Sequence, residues 1–294
     1  MKIHLVDGTY ELFRHFFALP PAQDARGGEI AATRGVLASM LSLLEEGATH
    51  VGVATDHVIE SFRNDLYPGY KTGDGIDPAL RNQFEPLEEL LAAAGFRVFA
   101  MVEHEADDAL ATAAETAAAD PRVEQVLVCT PDKDLAQCVR GTRIVQLDRR
   151  KRQLCDEAGV HERFGVGPAS IPDYLALVGD SADGFPGLPG FGARTASALL
   201  ARYLHLEAIP GDGAKWEVGV RGAARLATTL AEQFDDALLF RHLATLVRDV
   251  PELGSVDEWR WRGPRADFDA VCARYGAPGL RERTHRLAEK RAAS

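Results

Sequence analysis

The chain has 294 residues, 46% of them hydrophobic and 26% charged, with a formal net charge of −11 and a pI near 5.3. This is the composition of a globular protein with a substantial core, and the acidic balance argues against broad, non-specific coating of nucleic acid. The four cysteines (Cys129, Cys138, Cys155, Cys272) form no CxxC pair, which excludes a recognisable zinc or disulfide framework and fits a reducing cytosol. The opening apolar run stops at Asp7, too soon for a secretory leader, and no apolar stretch of about 18 residues suggests a membrane span. The expectation is a soluble, cytoplasmic protein with monomer as the default state.

Short apolar runs alternate with helical patterns over the first 150 residues, which predicts an α/β fold with a central, mainly parallel sheet flanked by helices. Strands are expected at about 3–6, 51–55, 97–99, 125–129 and 143–147, and helices near 35–46, 78–94 and 106–119. The texture changes at about Pro168 to helices separated by Gly/Pro-rich turns, the densest running from Gly184 to Gly192. The expected division is therefore an α/β core over 1–167 and a helical region over 168–294 with a basic tail.

Ligands of open α/β sheets bind beyond the carboxyl ends of the strands, and acids stand at those ends here. Asp7 follows the first strand, Asp56 the second, and Asp132 with Asp134 the fourth. Glu105, Asp107 and Asp108 open the helix at 106–119, with Glu105 and Asp108 three apart on one face. Asp180 and Asp183 precede the glycine-rich turn. Any one of these could be a turn former or a helix-start acid. Gathered together, so many carboxylates would raise one another's pKa unless a cation compensated them. Hard divalent ions, Mg²⁺ or Mn²⁺, suit oxygen ligands, and a two-metal site can activate water against a phosphodiester.

Five stretches resemble the bacterial 5′-nuclease (flap-endonuclease-like) family, which includes the 5′–3′ exonuclease domain of DNA polymerase I and stand-alone exonucleases. They are Leu5-Val6-Asp7-Gly8, Ser61-Phe62-Arg63 through Gly69-Tyr70-Lys71, His104-Glu105-Ala106-Asp107-Asp108, Thr130-Pro131-Asp132-Lys133-Asp134-Leu135, and Gly179-Asp180 through Gly192. They occur in the family's order and cover roughly residues 1–205. The resemblance implies a PIN/5′-nuclease-like core and a helix–three-turn–helix. It also implies two Mg²⁺ ions, with Mn²⁺ able to substitute, on Asp7, Asp56, Glu105, Asp107, Asp108, Asp132, Asp134, Asp180 and Asp183. Lys71 takes the place of the cation on the scissile phosphate, with Arg63 its neighbour, and Tyr70 that of an aromatic stacking on a nucleotide. Gly187, Gly190, Gly192, Arg194 and Thr195 fall in the turn that meets duplex DNA, where the family can also hold K⁺ through carbonyls.

The chain departs from the family at a few places. Asp74 stands where an arginine commonly follows the Tyr-Lys pair, and the arch segment 72–84 has only Arg81 as a cation. Asp183-Gly184 replaces the usual Asp-Asn, and Pro189 and Phe191 replace a basic and an aliphatic residue of the turn. Nothing resembling a polymerase domain follows, so a nuclease acting alone or with a separate partner is expected on DNA with 5′ ends, nicks or flaps. The basic run 149–152 and the basic tail read first as solvated faces.

Three functions compete on the sequence. The first is a metal-dependent 5′–3′ exonuclease or 5′ flap endonuclease, and the second a non-catalytic or weakly catalytic binder of branched or nicked DNA. A binder gains nothing from nine acids beside DNA. The third, a phosphatase using the first-strand Asp, wants a second Asp two residues on, and position 9 is Thr.

Overall fold

The computed structural model describes residues 1–293, so the last residue of the helical region expected at 168–294 lies outside the described residues. Among the described residues six strands occur: β1 (Lys2–Asp7), β2 (His50–Asp56), β3 (Arg97–Met101), β4 (Gln125–Cys129), β5 (Ile144–Asp148) and β6 (Gln153–Cys155). The helices of the first half are α1 (Gly8–Ala18), α2 (Ala31–Glu45), α3 (Phe62–Leu66), α4 (Pro78–Arg81), α5 (Phe84–Ala93) and α6 (Ala106–Ala119). Those of the second are α7 (Glu157–Phe164), α8 (Ile171–Val178), α9 (Ala193–Tyr203), α10 (Ala223–Glu232), α11 (Phe234–Ala244), α12 (Phe268–Arg274) and α13 (Pro278–Ala292).

The chain forms two compact units, each discontinuous in sequence. Unit 1 is Met1–Ile59, Gly73–Thr130 and Arg248–Ser294; unit 2 is Glu60–Thr72 and Pro131–Val247. Compactness thus divides the chain otherwise than the change of texture at 168.

Unit 1 carries the parallel strands in the order β3-β2-β1-β4. β2 is buried along all but its last residue, as expected of a parallel strand covered on both faces. Alanine-rich α6 packs on these strands, and α2 lies against α1 and α5. Gly8 is what lets α1 start directly off β1. A Cβ there would stand 2.8 Å from the Ala54 carbonyl oxygen and equally close to the Val53 and Thr55 side chains. The C-terminal segment returns to this unit: the Trp261 indole donates to the Ala94 carbonyl at 2.8 Å, and Trp259 meets Phe99 edge-on at 5.8 Å. The basic tail lies in the helix α13. Arg283 pairs with Glu45 at 2.7 Å, and Arg291 donates to the carbonyls of Leu44 and Ala48. The last turn of α2 contains no basic residue of its own, so these arginines supply the positive charge that a helix C-terminus favours.

Unit 2 holds the antiparallel pair β5–β6, with the basic run 149–152 forming the turn between them. Its core is built by α8, α9 and α11, with Phe185 stacked on Phe240 at 5.7 Å between ring centroids. The buried carboxylate of Asp173 accepts from Arg241 at 3.0 Å, from the backbone N–H of Leu206 at 3.2 Å, and lies 2.9 Å from His205 Nδ1. A buried acid held this way ties α8 to α11.

Some elements differ from the expectation. α1, α3 and the short β6 escape the sequence pattern, the first because Asp7-Gly8 reads as a strand-end turn. The helix expected over 78–94 is broken after Arg81, where the fully buried Gln83 accepts from the Thr33 N–H at 3.1 Å and donates to Ala79 O.

Gly8→Ala overpacks the α1–β2 contact and should cost about 1–3 kcal/mol. Thermal unfolding of the variant checks this, and a Tm equal to that of the wild type contradicts it.

Candidate metal centre

In unit 1 the acids Asp7 and Asp56 stand at the ends of their strands, each held by donors. Asp7 ends β1 and caps α1, accepting from the Tyr10 N–H at 2.8 Å and from the Thr130 hydroxyl at 3.0 Å. Asp56 ends β2; its N–H donates to the Thr9 hydroxyl at 2.8 Å, and its carboxylate accepts from the Ala106 N–H at 2.8 Å. That last bond fastens the end of β2 to the start of α6. Glu105 and Asp108 form a reciprocal capping box on α6, with the Glu105 N–H donating to Asp108 at 3.1 Å. Both are buried, whereas Asp107 is half-buried. Behind them Glu88 takes the Thr55 hydroxyl and His57 Nδ1, each at 2.7 Å, and so steadies the end of β2.

In unit 2 the geometry is tighter. Asp134, Asp180 and Asp183 are all buried, and each offers a carboxylate oxygen within 4.8 Å of the others. Burial, with the charges of Asp132, Asp183 and Asp180 around it, pushes the Asp134 carboxyl well above the usual range. Its Oδ1 is buried and accepts no hydrogen bond. A buried carboxylate oxygen left unbonded among other acids is a position that a hard divalent cation suits, so these residues fit a metal ion. Asp132 is exposed; it accepts the Asp134 N–H at 3.0 Å, and its own carbonyl accepts from Gln146 at 2.6 Å.

Two lysines share this negative charge. Lys133 lies 2.7 Å from Asp180, and Lys71 lies 3.0 Å from Asp183. Burial alone would lower the Lys133 ammonium, but the bond to Asp180 and the charges of Asp180, Asp134 and Asp132 carry it up instead. Lys133 carries no role in the sequence pattern beyond being a cation between two acids in Asp132-Lys133-Asp134. The hydroxyls of Thr9 and Thr130 were equally silent.

The loop bearing Asp180 and Asp183 is closed by backbone bonds between Asp180 and Phe185 in both directions. Gly184 sits at φ +88°, and a Cβ there would run into the carbonyl of Gly69. This close approach lays the Tyr70-Lys71 strap on the loop, with the Lys71 N–H donating to the Asp183 carbonyl at 2.9 Å.

Two expected site residues, Tyr70 and Arg63, are enclosed. Tyr70 is 3% exposed within the core of unit 2, so its ring offers no open face for a base; Lys71 Nζ lies 5.6 Å from its centroid. Arg63 is 1% exposed and donates to the carbonyls of Leu243 at 2.8 Å and Thr245 at 3.0 Å, fixing the end of α11 rather than facing a phosphate. Phe191 is buried, so this departure from the family is a packing choice. The turn itself links α8 to α9, with Gly187 and Gly190 at φ +70° and +87°, Gly192 and Arg194 exposed and Thr195 half-buried.

Acids close the parallel strands β1 and β2 of unit 1, and unit 2 holds a buried carboxylate trio and a glycine-turned helix pair. Residues 2–165 match the model of the 5′-3′ exonuclease N-terminal resolvase-like domain, and residues 166–267 that of the 5′-3′ exonuclease C-terminal SAM fold. The chain belongs to the 5′–3′ exonuclease family, a family of hydrolases. It is 33% identical to a 5′-3′ exonuclease of Aquifex aeolicus over 73% of this chain and 74% of that one. It is 38% identical to DNA polymerase I of Pseudomonas aeruginosa over 84% of this chain, and spans 27% of that relative's length. Among solved structures it shares its fold with a variant bacteriophage T5 D15 flap endonuclease in a complex with DNA and metal ions (TM-score 0.61, 17% identity, covering 98% of each chain).

With Asp134 raised in the fold, the unfolded chain gives up its proton first, so folding loses stability as pH climbs from about 3.8 towards the raised value. In EDTA at pH 7, Asp134→Asn should therefore unfold at a higher temperature than the wild type and lack this pH slope. Equal slopes from pH 5 to 8 contradict the assignment. Gly184→Asn, by pushing on Gly69, should displace Lys71 and lower kcat at least tenfold in a cleavage assay; a kcat equal to that of the wild type separates the strap from the loop.

Proposed function

We propose that the protein is a divalent-metal-dependent 5′–3′ exonuclease and 5′ flap endonuclease that hydrolyses DNA phosphodiester bonds. The buried trio Asp134, Asp180 and Asp183, with its unbonded carboxylate oxygen, carries this reading. Asp132 and the trio would hold one ion, and Asp7, Asp56, Glu105, Asp107 and Asp108 another, with Mg²⁺ the natural occupant and Mn²⁺ a substitute. When bound, the ions supply a nucleophilic water and charge compensation at the scissile phosphate.

The chain's own groups do the rest. The Thr130 hydroxyl and the Tyr10 N–H of α1 hold Asp7 in one orientation, and the Ala106 N–H at the start of α6 does so for Asp56. Lys71 sits on a strap fixed at both its N–H and its carbonyl, the latter by the Asn64 amide at 2.9 Å. Its ammonium, leaving Asp183 as the acid is taken up elsewhere, would neutralise charge developing on the phosphate. The turn 187–192 with Arg194 and Thr195 would take the duplex backbone, which carries no sequence information. The substrates are DNA with 5′ ends, nicks or flaps, in the cytoplasm. The exposed Asp74 adds negative charge where a flap would pass, which favours cutting at nicks and recessed ends over long flaps.

The test is cleavage of 5′-labelled single strand, nicked duplex, recessed end and 5′ flap in Mg²⁺, Mn²⁺ or EDTA. Metal-dependent cutting at the junction or stepwise from the 5′ end is expected. Asp132→Ala and Asp180→Ala should abolish it with little change in Tm, and Lys71→Ala should lower kcat by about 10²–10³. Binding of flap or nick without cutting in either metal would make the protein a binder of branched DNA instead.

A further inference from the structure

Three arginines of unit 2 line a cavity of about 700 Å³. Arg163 comes from the end of α7, Arg194 from the first turn of α9 and Arg221 from the segment ahead of α10. The Thr195 and Ser197 side chains share the wall, and no carboxylate lines it among the described residues. All three arginines are exposed. The floor is stiff: Phe164 and Tyr174 meet edge-on at 5.7 Å, and the Arg163 guanidinium lies 4.7 Å from the Phe164 ring centroid.

The contrast with the neighbouring arginines decides what this cavity is for. Arg202 and Arg241 of the same unit are paired with Glu217 and with Asp173 and Glu207. Arg163, Arg194 and Arg221 join no ion pair among the described residues, and Arg163 donates to the Pro131 carbonyl at 3.5 Å. Three uncompensated cations around one basin repel each other, and an anion relieves them. Guanidinium forks with hydroxyls beside them suit phosphate oxygens. Because the cations are spread across three separate segments of chain, a polyanion fits better than a single small ion.

We propose that this cavity cradles successive phosphates of one strand of duplex DNA, extending the contact of the turn 187–192 onto α7 and the approach to α10. The proposal rests on the nuclease reading, and it names Arg163 and Arg221 as phosphate-binding residues outside the turn. Contact is with the backbone, so it is independent of sequence.

The test is fluorescence anisotropy of the full chain, in EDTA, with a labelled 20-bp duplex and a 20-nucleotide single strand across a salt series. Losing two phosphate contacts in Arg163→Ala/Arg221→Ala should flatten the duplex salt dependence by about 2 in log–log slope and weaken low-salt binding at least tenfold. Single-strand binding should stay near that of the wild type, and Arg163→Lys/Arg221→Lys should keep most of the slope. Circular dichroism confirms that the variants fold. A duplex slope equal to that of the wild type overturns the cradle, as does equal weakening for both probes. Cleavage by the wild type in Mg²⁺ is scored separately. Cutting with an unchanged slope removes the cradle and leaves the nuclease; an arginine-dependent slope without cutting does the reverse.

Discussion

Negative charge that the fold has buried must be compensated, and the molecule meets that constraint in two ways. In unit 2, Asp134 lies under Asp180 and Asp183 with an oxygen bonded to nothing, and the lysines at positions 71 and 133 sit against its neighbours. In unit 1 the compensation is by dipoles, since Asp7 and Asp56 accept from the opening N–H groups of α1 and α6. Helix starts favour anions there without neutralising them. In the lysine-compensated site, desolvation raises the Asp134 carboxyl even with Lys133 nearby.

Much of the local backbone serves that arrangement. Gly8, Gly184 and Gly187 occur where one chain segment lies directly on another, and a side chain at any of them would push acids or Lys71 out of place. The departure at position 184 becomes intelligible in this light. With no side chain at 184 the loop lies directly on Gly69, so the strap bearing Lys71 is fixed by contact with the backbone. The buried arginine at position 63 works in the same direction by pinning the strap's helix, α3, to the end of α11.

Asp7 and Asp56 were legible in the sequence because they end apolar runs, where a parallel sheet presents them, and Glu105 and Asp108 because they open a helix. The helix pair around 187–192 was legible from its glycines. What the sequence hid is burial. Tyr70 and Arg63 occupy family positions that read as contacts to nucleic acid, yet both are enclosed, and no periodicity in a short segment between turns distinguishes an enclosed arginine from an exposed one. The supporting hydroxyls of Thr9 and Thr130 were hidden for a similar reason: their role depends on a neighbouring strand or helix far away in sequence. The discontinuous units were also invisible, since the return of α12 and α13 to the first unit depends on tryptophans and arginines whose partners lie some 160 to 250 positions earlier.

The most direct test of the account is diffraction from crystals grown with Mn²⁺, read as anomalous density. The account predicts a peak bonded to Asp134, Asp180 and Asp183, with Lys133 or Lys71 withdrawn from its acid, and a second peak at the acids that end β1 and β2. Unshifted lysine–carboxylate pairs with no anomalous peak at saturating Mn²⁺ would contradict it.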